Sequence, residues 1–310
     1  MSSVVFTLHT SDFRLQTFVL QLMVRPVLKR LFGISTHLYH GQRLSRDHLL
    51  EIAAHGFERV EVFATRTHFD YHNPAAVADL QQWLAEAGLE LESVHAPINE
   101  SFTGGRWGRV LSVASPEEDE RAAAVGETER ALHIARRIPV GVLVVHLGVP
   151  RTEPGPGGGN ARAAARRSML ELQPMAGALG VKLALEVLPN ELSGARSLVH
   201  FVEDDLEGTD VGICLDFGHA HLDGDIVDAV ETVSEHLIAN HVHDNGGRTD
   251  DHLVPFEGTI DWAAALTSVQ KVGYEGTLLF EIAGRGPARE TLEKARKARE
   301  KMERLLNSEF

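Results

Sequence analysis

From Leu31 onward, short apolar runs alternate with longer segments in which apolar residues recur every three or four positions. The short runs, rich in Val, Ile and Leu and bounded by Gly, Pro or polar clusters, predict strands; the longer periodic segments predict helices with one buried face. Strands are predicted at Phe32–Ser35, Arg59–Phe63, Leu89–His95, Val140–His146, Val181–Glu186, Val211–Leu215, Leu237–His243 and Gly276–Ile282. Helices fill the gaps. Ser45 is the expected N-cap within Leu44–His55, Asn73 and Pro74 open a segment that Gly88 stops, and Ser115 with Pro116 and two glutamates opens Pro116–Arg137. Asn160 is the expected cap of Ala161–Gly177, and Ser193–Val202, Ile226–Glu235 and Ile260–Val272 follow. Glu290–Leu306 ends the series with charges spaced three and four apart, the mark of a solvated face held by ion pairs.

Near-continuous apolar strands separated by helices imply a parallel sheet covered on its outside. Eight such units in about 275 residues match an α/β fold of the (β/α)₈ TIM-barrel type, a single domain over residues 31–310. A doubly wound open sheet is the competitor, but no Gly-x-Gly-x-x-Gly follows the first strand. Residues 1–30 read as an N-terminal extension outside the fold, poorly ordered, with Met23 as an alternative start. Its apolar patch, Phe18–Val24, is interrupted by Gln21 and falls far short of the ~20 residues of a membrane span.

Composition narrows the function. A net charge of −14 disfavours broad electrostatic attraction to nucleic acid. The single cysteine, Cys214, excludes an internal disulfide and suits a reducing, cytoplasmic setting. Seventeen histidines raise a metal hypothesis, since imidazole is the commonest metal ligand.

The histidines acquire meaning from where they fall. In a barrel of this kind, chemistry collects at the C-terminal ends of the strands. His95 follows strand three, His146 strand four and Glu186 strand five; Asp216 and His219 follow strand six, His241 lies at the end of strand seven and Glu281 ends strand eight. Asp250 and His252 lie on the loop after strand seven. A carboxylate or imidazole closing an apolar strand is costly to bury unless a cation or hydrogen bonds compensate it. Nine such groups at one mouth point to a divalent metal site. The mixed set suits Mn²⁺, Zn²⁺, Co²⁺ or Fe²⁺ over Ca²⁺, and Mg²⁺ is also admitted. His37, Trp107 (in FTGGRWGR) and Arg248 are the candidates for contact with substrate, His243 for support behind the ligands, and Asp244 for orienting a ligand imidazole. The Pro154–Gly159 stretch reads as a flexible loop.

The ordered motifs SVHAP, VVHLG, LEVLPN, CLDFGHAH, HVHDN, DDHLVPFEGTIDW and FEI resemble the xylose isomerase-like TIM-barrel superfamily, over roughly Leu31–Leu306. That group includes sugar-phosphate isomerases and epimerases and the endonuclease IV enzymes. The resemblance is specific for the superfamily and not for a substrate. Its epimerase branch implies a one-metal site of Glu186, Asp216, His241 and Glu281. There the two glutamates act as the acid/base pair through an enediolate, and His219 bonds a substrate oxygen. Its endonuclease IV branch implies a multi-zinc phosphodiesterase that adds His95, His146, His219, Asp250 and His252 as ligands. The expectation is a metal-dependent isomerase or epimerase of a small sugar-like substrate, with the hydrolase, and a non-catalytic barrel with a vestigial site, as alternatives. Neither a nucleic acid nor a membrane is an expected partner, and on oligomeric state the sequence is silent.

Overall fold

The computed structural model describes residues 30–152, 159–284 and 286–307. Residues 1–29 of the extension and residues 154–158 of the Pro/Gly loop lie outside that set.

In chain order the elements are β1 (Phe32–Ser35), α1 (Arg46–Ala54), β2 (Arg59–Phe63), α2 (Pro74–Ala87), β3 (Glu90–His95), a small hairpin of β4 (Phe102–Thr103) and β5 (Arg106–Trp107), and α3 (Glu118–Leu132). There follow β6 (Val142–Val145), α4 (Arg162–Ala178), β7 (Lys182–Glu186), α5 (Ala195–His200), β8 (Gly212–Asp216), α6 (Phe217–Asp223), α7 (Ile226–Val233), β9 (Leu237–His241), α8 (Trp262–Lys271), β10 (Leu278–Phe280) and α9 (Ala288–Asn307). The large sheet runs β10-β1-β2-β3-β6-β7-β8-β9, every pairing parallel. Its two ends meet at the parallel bridge Val242↔Phe280, where Val242 N–H donates to Leu279 and Glu281 N–H to Val242. Eight parallel strands with helices around them form the (β/α)₈ barrel.

The strands are buried on both faces because one face lines the barrel and the other lies under the helices; β8 is buried at every position. Inside, the small side chains of Val144, Ala184 and Cys214 fill the barrel below the C-terminal mouth. Outside, the helices lay their apolar stripes on the sheet, as α7 does through Ile226, Ala229, Val230 and Val233. The predicted punctuation of α2 holds: the Asn73 side chain accepts from Ala75 N–H, and Gly88 closes the helix at φ 66°.

Several local details depart from the pattern. Asn160 does not cap α4; its amide instead exchanges two 3.0 Å hydrogen bonds with the backbone of Val149, tying the loop after β6 to the entry of α4. Ser45 precedes α1 but its side chain makes no cap bond. The helix predicted to reach Arg137 gives way at His133 to a 3₁₀ turn.

Two pairings contain a bulge. Between β2 and β3, Val60 faces Leu91 but Glu61 faces Ser93, so Glu92 is an extra residue. Between β8 and β9, Ile213 faces Leu237 but Cys214 faces Ala239, so Ile238 is extra. Side chains two apart normally share a face. Here Leu91 packs in the main core while Ser93 bonds Glu61 inside the barrel. Gly212 makes room for the second bulge, since a Cβ there would lie 2.7 Å from the Ile238 side chain.

Candidate metal centre

The strand ends bring the expected groups together in three clusters whose ligand atoms lie within 4.8 Å of one another. The first joins His95, His146 and Glu186; the second Glu186, Asp216, His241 and Glu281; the third His219, Asp250 and His252 together with His243, for which the sequence predicts only a supporting part. Glu186 belongs to two clusters. The floor is sealed, with Glu186, Asp216, His241 and Glu281 all buried. The rim is open at His146, at His252 and at Asp250, whose side chain is 36% exposed.

Hydrogen bonds decide which imidazole nitrogen faces each cluster. The Nδ1 atoms of His95, His219 and His252 lie 2.8, 3.1 and 2.9 Å from the carbonyl oxygens of Ala96, Val187 and Glu281. A carbonyl only accepts, so Nδ1 carries a proton, and in the neutral imidazole each Nε2 has a lone pair aimed at its cluster. In the first cluster His95 Nε2, His146 Nε2 and Glu186 Oε2 stand 3.0–3.2 Å apart. Ligands on a tetrahedral centre with 2.0–2.1 Å bonds lie about 3.3 Å apart. Three electron-rich atoms at that spacing fit a divalent cation. In the third cluster His219 Nε2 and His252 Nε2 lie 3.1 and 3.2 Å from the same oxygen, Asp250 Oδ2.

The second cluster centres on His241. Its Nδ1 is 3.2 Å from both Glu186 Oε1 and Glu281 Oε2. Asp216 closes the group; its Oδ1 caps α6 by accepting His219 N–H at 2.7 Å, and His243 Nε2 stands 2.9 Å from the same atom. Gly218 is required beneath this contact, because a Cβ there would run into the His243 ring.

The electrostatics show what the carboxylates do when only protons are available. Burial alone would lower the pKa of His95, but the hydrogen bond and charge of Glu186 outweigh it and push the imidazole up to about 9. His252 is likewise pushed up to about 9 by Asp250 against the effect of burial. Against burial, His219 rises through Asp216 and Asp250, and His241 through its buried neighbours Cys214, Glu281, Glu61 and Glu186. Burial would raise Glu186 and Glu281, yet His146 and His241 hold Glu186, and His241 and His252 hold Glu281, well below the usual carboxylate range. Protons sit on imidazoles where a cation would otherwise be the countercharge.

Outside the clusters the expectations divide. His37 packs against His252 at 5.1 Å and against Phe63 at 4.8 Å, which sets it at the mouth. Trp107, on the β4–β5 hairpin and 41% exposed, stacks on His40 and leans on Phe63. Arg248 is exposed on the loop that carries Asp250, and the geometry adds nothing to its case. Asp244 orients no imidazole. Its carboxylate accepts four N–H groups, from Asn245, Phe256, Ile260 and the Trp262 indole, and so organises the loop itself. One residue escapes a reading of strand ends: Glu61, in the interior of β2, whose Oε2 lies 3.2 Å from His241 Nε2. The signal was present in RVEVF, a charge within a buried strand.

A family model described as a xylose isomerase-like TIM barrel matches residues 49–307. The chain belongs to this family. The uncharacterized protein MJ1311 of Methanocaldococcus jannaschii is 27% identical over 263 residues, 82% of this chain and 84% of that protein. Among solved structures, a D-tagatose 3-epimerase-like protein shares 25% identity with a TM-score of 0.71, covering 89% of this chain and 98% of its own. The 3-keto-D-glucoside 4-epimerase YcjR of E. coli has a TM-score of 0.69 at 17% identity, over 88% of this chain and all of its own, which is a likeness of fold. The family's barrel is thus the one this chain adopts, and among the described residues no helix is long and apolar enough to cross a membrane.

Proposed function

We propose that the protein is a divalent-metal-dependent isomerase or epimerase acting on a sugar-like α-hydroxy carbonyl compound. One observation carries the reading: Glu186 and Glu281 each lie 3.2 Å from the same nitrogen of His241, two buried carboxylates close enough to serve one substrate carbon. A cation held by Glu186, Asp216, His241 and Glu281 would draw charge toward the substrate oxygens and acidify the adjacent C–H. One glutamate takes the proton from carbon and later releases it to solvent; the other returns a proton that it has first taken up from solvent, so each carboxylate passes through its protonated form once per turnover. Return on the opposite face inverts the centre, and return to the neighbouring carbon moves the carbonyl. In this reading His219 bonds a substrate oxygen and His37, Phe63 and Trp107 pack against the ring, which the ring contacts of His37 and Trp107 with Phe63 support. Likeness to the D-tagatose 3-epimerase-like protein supports a small sugar as substrate class.

The test is exchange of a substrate C–H with deuterated water. Glu186→Gln and Glu281→Gln should each slow it by about 10²–10⁴-fold. Undiminished exchange in both variants would sink the two-glutamate mechanism.

The completeness of the other two clusters favours a second reading, a multi-zinc phosphodiesterase. His95 and His146 with Glu186, and His219, His243 and His252 with Asp250, would each supply donor atoms for a further cation. Against a polyanionic substrate stand the net charge of −14 and the engagement of Arg109 by Glu100 and Glu120. Metal analysis after loading separates the two. One ion per chain with C–H exchange supports the first; three ions with hydrolysis of a phosphodiester and no exchange supports the second.

A further inference from the structure

The His241 imidazole has two nitrogens, and the one facing away from the cluster meets another buried carboxylate. Glu61 is fully buried on β2; its Oε2 lies 3.2 Å from His241 Nε2 and accepts the Ser93 hydroxyl at 2.7 Å. Its other oxygen, Oε1, is buried with no hydrogen-bond partner. Ser93 supplies an O–H, so Oε2 is already an acceptor, and the bond it shares with Nε2 is best made by an imidazole N–H. A carboxylate with one bare oxygen in an apolar barrel is expensive. Its presence is explained if there is positive charge on the far side of the imidazole for it to oppose.

We propose that Glu61 is a positioning residue for the metal centre. It holds the Nε2–H form of His241, turns the Nδ1 lone pair toward Glu186, Asp216 and Glu281, and makes the imidazole a stronger donor without itself touching the cation. Ser93 fixes the carboxylate, and the bulge at Glu92 leaves Ser93 opposite Glu61. The inference rests on the metal-centre reading above and extends it to a residue from a different strand.

Zn²⁺ binding to the metal-stripped full chain tests it, measured by competition with a chromophoric chelator. The set is wild type, Glu61→Gln, which keeps the shape and an acceptor but loses the charge, and Glu61→Leu, which loses both. Binding should weaken by about 10–100-fold in Glu61→Leu and by less in Glu61→Gln. The second readout is the ¹⁵N resonances of His241 in the zinc-loaded protein. Wild type should show a protonated Nε2 and a metal-bound Nδ1, and Glu61→Leu should lose that pattern; a purely structural role would not alter it. Thermal unfolding of the metal-free forms controls for folding. Tight zinc binding within twofold of wild type in both variants, with the His241 pattern intact, overturns the inference and leaves the metal centre standing. No zinc binding by wild type overturns both.

Discussion

Imidazoles buried beside carboxylates carry a linkage to pH that can be signed. His95 and His252 ordinarily titrate at 6.5 and are pushed up to about 9 in the fold. Their protonated forms therefore stabilise the metal-free fold fully below pH 6.5, and that contribution is lost as pH rises through 9. In urea unfolding, the metal-free protein should have a lower midpoint at pH 9.5 than at pH 6.5. With saturating metal the trend should reverse, since the cation displaces those same protons. A metal-free midpoint that does not move with pH would contradict the assignment. His95 was legible in the sequence because it closes an apolar strand, where a polar group has no cheap explanation, and His252 because its loop follows a strand that ends at the same mouth. Glu61 was not, because its meaning lies in a partner 180 residues away and mid-strand charge has many other causes. Asp244 was misjudged for a related reason. Its neighbours in sequence are histidines, but its partners are backbone N–H groups and an indole further along.

At the scale of elements, the segment between β9 and α8 is where the candidate site is most exposed to disruption. Asp250 and His252 ride on it, and His252 sits at φ 45°, a left-handed conformation that a side chain enters only when its surroundings insist. Those surroundings are held by the four N–H donors converging on Asp244, at one end of the segment, and by the Leu253–Asp244 backbone pair. Asp244→Ala should cost on the order of 3 kcal/mol in denaturant unfolding, because buried donors lose their acceptor together. It should also weaken metal binding at the third cluster more than at the first. Unchanged stability would mean that water replaces the carboxylate. The long helices and the barrel strands were legible from periodicity alone. The β4–β5 hairpin and α6 were not: two-residue strands and a seven-residue helix are too short to show a period, and they exist because the strand ends and the Asp216 cap organise them.

At the scale of the molecule, the alternation of apolar strands and helices was sufficient to imply the closed barrel, since eight parallel strands each returned by a helix leave little else to build. What it did not carry was phase. In LELESVH the alternation slips after Leu91, and the slip corresponds to the bulge at Glu92. This has a consequence for heredity. A bulge is a place where a residue has been accommodated without turning the rest of the strand over. Losing that codon joins Leu91 directly to Ser93 and restores a regular strand, with Ser93 and His95 still facing inward. Losing the codon for Val94, two residues on, leaves His95 on the outer face. Two in-frame deletions of equal size in one strand should therefore have opposite outcomes. Removal of Glu92 should keep a folded protein that binds zinc within about tenfold of the parent, and removal of Val94 should lose the first cluster altogether. Equal zinc binding by the two would show that the strand can slide to hide either loss. Length at position 92 is then a freedom of this lineage, whereas length at position 94 is not.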